Sequence, residues 1–369
     1  MYLVNITARI LGFILRIDHS LDKDFKTIVI SKYVGLGSII QATPLIQTLK
    51  QQFPSARIIF LSTSGNKALL DHIPEISETI LIRDNSFLNV ITTSLGALRQ
   101  LWKLKPQVFI DLEFYSNYSS IMTTLSLSKN RMGFKNETKR TRKGMYNHLV
   151  NFNIEVPISN TYLQFAELLN CKSTIKDLKI KTEPRIYQES ILRKTGLNIN
   201  ENYLVINPNA SDLRIERRWP AYSFIQSMEH LITKYGDAKL VLIGDRSEVN
   251  YVESIYNKLK DKRNVINTAG QLSLNELIAL LSQTQLLLTN DTGPMHIAFA
   301  CGTSSVTLFG PCSPLQYGGT KNTTTLYKKV SCSPCVHTHI LPPCKGDNIC
   351  MKQISIQEVC AAIDGTLQK

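Results

Sequence analysis

The chain of 369 residues lacks several features that mark membrane-spanning, fibrous or disordered proteins. It has only two tryptophans and no low-complexity tract, and 43% of its residues are hydrophobic against 19% that are charged. This composition excludes an intrinsically disordered chain and predicts a globular one. No uninterrupted apolar run approaches the roughly 20 residues that a membrane-spanning helix needs. Acidic residues are also scarce, since 29 acids stand against 42 basic residues.

The amino-terminal segment comes nearest to a long apolar run. Arg9 interrupts it and no small-residue cleavage site follows, so neither a signal peptide nor a membrane-spanning helix is predicted. Its large apolar residues recur at helical spacing: Leu3, Ile6, Ile10, Phe13, Ile14 and Ile17. Such a helix is predicted either to lie on a membrane surface or to pack on the protein's own core or on another subunit.

The formal net charge of +13 indicates an anionic partner. Phosphorylated substrates, an acidic membrane surface and nucleic acid all have the required charge. The sequence contains no nucleic-acid-binding motif, so nucleic acid is not among the predicted partners. General solubility is the alternative explanation of the charge.

Eight cysteines are present, and without a secretory signal they are expected to be reduced thiols in the cytoplasm. Four of them, Cys332, Cys335, Cys344 and Cys350, fall within nineteen residues, and two histidines lie between them. Thiolates favour zinc or iron, so this spacing predicts a structural zinc or iron site in the loop 332–350. A proline-rich loop with free thiols is the alternative.

Strand and helix patterns alternate along most of the chain, which predicts an α/β fold built from doubly wound parallel sheets. The length favours two domains. The alternation breaks down in a basic stretch, residues 129–143, and restarts after Pro184. The predicted division is a first domain over residues 1–182, a second over 183–350 and a terminal helix over 351–369.

Residues 285–314 carry the most informative pattern. A buried strand, residues 286–289, leads directly into the polar run 290–294, and a helix follows. A helix that begins at the carboxyl end of a strand is where α/β proteins bind phosphorylated ligands. Thr292 is the predicted N-cap, Gly293 permits close approach of a ligand, and Pro294 suits the first helical turn.

Several segments of the second half resemble glycosyltransferase family 9, the heptosyltransferases of lipopolysaccharide assembly. They are NPNAS (207–211), RRWP (217–220), LVLIGDRSE (240–248), NTAGQLSLNELIALL (267–281), TNDTGPMHIA (289–298) and VTLFGP (306–311). In the first half, GLGSIIQATPLIQTLKQQFP (35–54), DLEFYSNYSS (111–120) and RMGF (131–134) also fit. The resemblance covers most of residues 27–320.

The resemblance implies a GT-B architecture, with two Rossmann-like domains facing each other across a cleft. The first would bind the acceptor and the second the nucleotide-sugar, with the terminal helix crossing back to the first. The implied activity is inverting transfer of a sugar, heptose for example, from a nucleotide-sugar such as ADP-heptose to an anionic glycolipid precursor of lipopolysaccharide. No cofactor is required for that transfer. The implied location is the cytoplasm, peripheral to the inner membrane.

One position departs from the family. Heptosyltransferases of this family carry an aspartate directly after the glycine of the first loop, as the catalytic base, and this chain has Ser38 there. A serine needs a base beside it to accept a proton. Asp111 and Glu113 follow a first-domain strand and are the predicted substitutes; strand alternation points both the same way, so each would raise the pKa of the other. An N-cap or a structural ion pair is the alternative role.

The resemblance also assigns donor contacts in the second domain. Arg217 is predicted to contact the phosphates, His296 to contact the phosphates or the sugar, and Asp291 to hold the loop. Glu248, four residues after Gly244, would bind the ribose or simply favour a helix start. Strand-end polar residues complete the predicted set: Asn207, Asn209 and Ser211.

Two other functions stay open because of Ser38. One is a catalytically silent nucleotide-sugar-binding or assembly protein. The other is a nucleotide-sugar epimerase with a GT-B-like fold, which would act without an acceptor.

Overall fold

The computed structural model describes residues 2–21, 24–135, 144–210, 212–319, 321–336, 339 and 341–368. The described chain forms two compact units, residues 1–180 and 181–369. Each is an α/β unit around one parallel six-stranded sheet, which confirms the predicted fold class.

The sheet of the first unit has the order β3-β2-β1-β4-β5-β6, and all its strand pairs are parallel. Its strands are β1 (Thr27–Ser31), β2 (Arg57–Thr63), β3 (Glu78–Ile82), β4 (Val108–Asp111), β5 (Asn130–Lys135) and β6 (His148–Asn151). β1 reads TIVIS and is buried at every position. A continuous apolar strand of this kind is typical of a parallel sheet covered on both faces.

Helices cover the first sheet on both faces. They are α1 (Tyr2–Ile14), α2 (Leu36–Ile40), α3 (Thr43–Gln52), α4 (Lys67–Leu70), α5 (Phe87–Leu104), α6 (Asn117–Leu125) and α7 (Ile158–Leu168), with a 3₁₀ turn at Ser64–Asn66. α5 begins at Ser86, whose hydroxyl accepts a hydrogen bond from the Asn89 amide, and ends at Lys105 in the left-handed conformation. The apolar side chains of α5 and α6 that face the sheet form a core cluster with β1, β2 and β4.

The basic stretch 129–143, where the alternation of strand and helix patterns breaks down, is partly a strand. β5 occupies its start, and Arg131 is buried there, with its guanidinium donating to the carbonyls of Ser128 and Met145. Burial lowers the pKa of Arg131. Sequence patterning missed β5 because a buried arginine, satisfied by carbonyls, interrupts the apolar run. Residues 136–143, which carry most of the basic charge of the stretch, lie outside the described residues.

The second sheet has the order β12-β11-β10-β7-β8-β9, again with parallel pairs throughout. Its strands are β7 (Tyr203–Asn207), β8 (Lys239–Leu242), β9 (Val265–Asn267), β10 (Leu286–Asn290), β11 (Ser305–Phe309) and β12 (Thr323–Tyr327). The chain runs outward from β7 in one direction through β8 and β9, and in the other through β10, β11 and β12. The point of reversal therefore lies between the carboxyl ends of β7 and β10, where open α/β sheets bind ligands.

The helices of the second unit include two with complete capping boxes. They are α8 (Pro184–Thr195), α9 (Ala221–Lys234), α10 (Val249–Asn257), α11 (Leu274–Gln283), α12 (Gly293–Cys301), α13 (Pro314–Tyr317), α14 (Ile349–Lys352) and α15 (Ile356–Leu367), with a 3₁₀ segment at Asp212–Arg217. Ser273 with Glu276 caps α11 and Ser355 with Glu358 caps α15. α15 packs against α9 and the strands β10 to β12 of this unit. The return toward the first domain that the resemblance implies stays a prediction.

Candidate functional site

Two asparagines fix the loops at the point of reversal of the second sheet, where β7 and β10 end. Asn290, at the end of β10, donates to the carbonyls of Pro208 and Asn209 at 3.0 Å and accepts from the Trp219 amide at 3.1 Å. Asn207, at the end of β7, donates to the hydroxyls of Thr289 and Thr292 at 2.9 and 2.8 Å. Both side chains are buried, so their amide groups fix the loops that follow both strands.

The start of α12 is free of the side-chain cap that the sequence predicts for it. Thr292 occupies the N-cap position in an extended conformation, but its hydroxyl makes no capping hydrogen bond. That hydroxyl instead accepts from Asn207 and lies 3.4 Å from the Asn290 carbonyl. Pro294 has no N–H, and the Met295 amide donates to the Thr292 carbonyl at 3.2 Å, so the Gly293 amide is the first-turn donor that this end offers to another acceptor. The helix dipole favours an anion there.

Arg217 lies beside this helix start. Its Nε is 3.7 Å from the Asp291 Oδ2, and its Nη1 is 3.4 Å from the Asp291 carbonyl oxygen. Burial lowers the pKa of Arg217. The Asp291 carboxylate, with contributions from neighbouring Cys312 and Tyr317, raises it by more, so the net shift is upward. The guanidinium is therefore a permanent cation, held against the residue that precedes the helix.

His296 lies one turn into α12 and is neutral at pH 7. Burial lowers its pKa to about 4, Asp291 opposes this shift and Arg217 adds to it. Its ring packs edge-on against Phe299 and Tyr317. A neutral imidazole here is able to donate one hydrogen bond but contributes no positive charge toward an anion.

Two residues near this site were missed from the sequence. Cys312 follows β11, and burial together with the Asp291 carboxylate raises the pKa of its thiol well above the ordinary value. Tyr317, in α13, packs on His296. The position of both after the strand that pairs with β10 was the available signal, because neighbouring parallel strands end at one edge.

The loop after β8 is held by its own side chains. Glu248 accepts from the Asp245 amide at 2.9 Å, and Asp245 accepts from the amides of Ser247 and Glu248. A Cβ on Gly244 would lie 3.0 Å from the Asn209 Nδ2, so a glycine fits best there. These contacts favour the helix-start role for Glu248, and its predicted ribose contact stays a prediction.

Asn209 is buried behind this loop. Its Nδ2 donates to the Ile243 carbonyl at 2.7 Å and to the Asn207 Oδ1 at 3.1 Å. Among the described residues nothing donates to its buried Oδ1. Ser211, the third strand-end residue of the predicted set, lies outside the described residues.

In the first unit, Asp111 is buried completely at the end of β4. Its carboxylate accepts hydrogen bonds from the hydroxyls of Ser31 (3.2 Å), Ser119 (2.7 Å) and Tyr146 (2.5 Å) and from the Glu113 amide (3.0 Å). Four donors occupy the lone pairs that a general base would need. The geometry favours the structural role for Asp111, which joins β1, β4 and α6.

Glu113 anchors the first loop. One carboxylate oxygen accepts from the amides of Tyr33 and Val34 at 2.8 and 3.1 Å, and the other from the Lys32 ammonium at 2.8 Å. The ion pair is nearly buried on both sides. Glu113 therefore holds the chain that leads into the glycine-rich turn, while half-buried Ser38 lies in α2 beyond it.

The predicted zinc or iron centre is not supported. Burial is the largest cause of the raised pKa of the Cys335 and Cys350 thiols, and it raises the pKa of Cys350 to about 11. Cys332 and Cys344 also raise the pKa of both thiols. In the described part of the chain, however, no three side chains of the ligand types are grouped to hold a metal ion. The physical reason is that Cys350 packs into the apolar core of the second unit. His337 lies outside the described residues.

The family model "Glycosyltransferase family 9 (heptosyltransferase)" matches residues 108–344, which is more than half of the chain. The chain belongs to glycosyltransferase family 9. It is an α/β enzyme of that family, as the resemblance of its motifs implies.

A curated relative and two solved structures extend the match to nearly the whole chain. Lipooligosaccharide heptosyltransferase 2 of Campylobacter jejuni is 26% identical over 88% of this chain and 93% of its own length. A family 9 glycosyltransferase from Veillonella parvula superposes with a TM-score of 0.79 at 21% identity, covering 95% of this chain and 99% of the other. The ADP-heptose lipopolysaccharide heptosyltransferase II of Escherichia coli superposes with a TM-score of 0.75 at 20% identity, covering 93% and 98%. The two Rossmann-like units are those of a GT-B fold.

Proposed function

We propose that this glycosyltransferase transfers heptose from ADP-heptose to the core of a lipopolysaccharide or lipooligosaccharide precursor. The names of its relatives support heptose and the lipopolysaccharide acceptor. The uncapped start of α12, with the Arg217 guanidinium beside it, is the single observation that carries the donor assignment. The second unit would then bind the nucleotide-sugar and the first unit the acceptor.

The pyrophosphate is the donor group that this site suits. The phosphates would accept from the Gly293 amide at the start of α12 and from Arg217, which stays charged throughout the reaction, and the helix dipole would favour their negative charge. As the bond from the anomeric carbon to the phosphate oxygen breaks, negative charge grows on the leaving ADP, and both groups then interact more strongly with it. His296, neutral at pH 7, would donate one hydrogen bond without adding a charge.

On the acceptor side, a hydroxyl of the growing core would attack the anomeric carbon from the face opposite to the leaving ADP. The new glycosidic bond forms as the bond to phosphate breaks, so the configuration inverts, and the hydroxyl proton must pass to a base. The hydrogen bonds of Asp111 and Glu113 favour positioning roles for both carboxylates. Ser38, in α2 directly after the glycine-rich turn, would lie next to the acceptor hydroxyl.

The test is release of ADP from ADP-heptose in the presence and absence of a heptose-deficient core oligosaccharide. Acceptor-dependent release, with a product heavier by one heptose in mass spectrometry, is the expected result. ADP-mannose and UDP-glucose serve as donor controls. Binding of ADP-heptose without turnover would instead favour the silent binding protein, and conversion of the donor without acceptor would favour the epimerase.

A further inference from the structure

In the amino-terminal helix α1, most of the large apolar side chains face outward, whereas an ordinary amphipathic helix of a globular protein turns them toward the core. The side of α1 that packs on α6 carries small or modest residues, and buried Ala8 lies at its centre. Leu11, nearer to Ala8, is 36% exposed. Five other large apolar side chains lie on the outer face and are more than half exposed: Leu3, Ile6, Ile10, Phe13 and Ile14. At 100° per residue these five share one sector opposite Ala8. The expectation of core packing is therefore wrong for these side chains.

Helix α5 shows a second exposed apolar stripe. One side of α5 is buried in the core through Ala97, Leu98 and Leu101. A different side exposes large apolar residues at helical spacing: Leu88, Ile91, Leu95 and Trp102. The polar residues of α5, such as Arg99, Gln100 and Lys103, lie on the remaining side, so the apolar sector of this helix is wider than the part that the core covers.

Both stripes belong to the same layer of the first unit. The crossovers from β3 to β4 and from β4 to β5 run in one direction across the sheet, so the right-handed rule places α5 and α6 on the same face. α6 contacts both α5 and α1. α1, α6 and α5 therefore pack side by side, and we call the two exposed stripes together the apolar face.

The charged residues of the three helices in this layer are all basic. None of the three helices of the layer contains an aspartate or glutamate. Their charged residues are Arg9, Arg99 and Lys103, which are exposed. The first unit as a whole has 22 basic and 13 acidic residues, a formal net charge of +9 out of the +13 of the chain.

We propose that the apolar face docks onto the surface of an anionic lipid bilayer. Exposed apolar side chains beside arginine and lysine, without acids, match a layer of anionic headgroups above acyl chains. α1 is 13 residues long, about 20 Å, and would lie in the plane of the interface rather than across it. Among the described residues no helix is long and apolar enough to cross a bilayer.

The same charges disfavour a second copy of the chain as the occupant. In a two-fold contact the same patch meets itself, so Arg9, Arg99 and Lys103 of the two copies would approach one another with no acid on these helices to pair them. An anionic bilayer removes that repulsion. The inference rests on the proposed function only in that the acceptor is a glycolipid, because a docked first unit would meet an acceptor held at the membrane.

The experiment is co-sedimentation of the full chain with vesicles, without substrates. Vesicles of phosphatidylethanolamine with phosphatidylglycerol should bind the wild type, and vesicles of phosphatidylcholine alone should bind it much more weakly. The double variant Phe13→Ser/Ile14→Ser should bind the anionic vesicles at least about ten-fold more weakly, because two large apolar side chains no longer enter the interface. Leu88→Ser should weaken binding in the same direction.

The matched control is Ile186→Ser combined with Tyr222→Ser. Ile186 and Tyr222, in the second unit, are each 65% exposed, as Ile14 is. The control variant should bind vesicles like the wild type, and unfolding temperatures should verify that all variants are folded. Equal vesicle binding by wild type and Phe13→Ser/Ile14→Ser would overturn the proposal. A dimer in size-exclusion chromatography that the same variant converts to a monomer would overturn it too, in favour of a second copy.

The proposed function is read out separately. Heptose transfer to a delipidated core oligosaccharide in solution needs no membrane, so Phe13→Ser/Ile14→Ser should retain it. If the wild type binds anionic vesicles but transfers no heptose, the proposed function is refuted and the docking of the apolar face onto a bilayer is still supported. The reverse result leaves the transferase assignment and removes the docking surface.

Discussion

Replacing Arg217 by alanine tests the donor site most directly. The guanidinium is a permanent cation held 3.7 Å from Asp291 at the start of α12. A charge-assisted hydrogen bond of this kind contributes about 1.5–3 kcal/mol, so kcat/KM should fall about 10-fold to 150-fold. The variant also leaves the buried Asp291 carboxylate without its cation, which adds repulsion toward the pyrophosphate.

The assay is steady-state release of ADP, together with calorimetric binding of ADP to the free enzyme. Adding Asp291→Asn to Arg217→Ala should recover part of the loss, because the uncompensated carboxylate is gone. Arg263→Ala is the matched control, since Arg263 is exposed and pairs with Asp261 in the same unit. If Arg217→Ala binds ADP as tightly as the Arg263→Ala control, the donor is not held at this helix start and the reasoning is refuted.

Three further outcomes are expected. Asp111→Asn should lower the free energy of unfolding by about 2–4 kcal/mol, since four donors lose a charged acceptor; an unchanged urea midpoint would argue against the structural role. Ser38→Ala should lower kcat about five-fold without changing the melting temperature, as loss of one hydrogen bond to the acceptor would do, and unchanged turnover would remove Ser38 from the site. Burial raises the pKa of Glu276, but hydrogen bonds from Lys194, Ser190 and Ser273 to its carboxylate lower it by more, to about 2. The carboxylate should therefore contribute about 3 kcal/mol to the free energy of unfolding above pH 4.5, and this contribution should be lost as the pH falls toward 2. Glu276→Gln should therefore be less stable than wild type at pH 7 in chemical denaturation, with a difference that shrinks toward pH 2; a constant difference would contradict this.

Parts of the fold followed from local patterns. Buried strands such as β1 and β10 are continuous apolar runs, and a turn-forming residue or a cap marks the helix that follows. These are interactions between near neighbours in sequence, so one chain segment contains all the information they need. β5 was missed because Arg131, its second residue, is buried and donates to carbonyls that the fold brings to it.

The candidate site divides in the same way. The sequence determined by itself that a helix starts after Asp291 and that its motif belongs to the family, because both depend on the order of residues within one segment. Only the tertiary structure decided that the Asp111 carboxylate has four donors, from β1, α6 and two loops. The fold likewise decided that Thr292 bonds with Asn207 rather than capping α12. It also decided that α1 faces outward with its large apolar side chains. Helical periodicity reports that one face is apolar, but which neighbour, if any, covers that face depends on contacts between residues far apart in the chain.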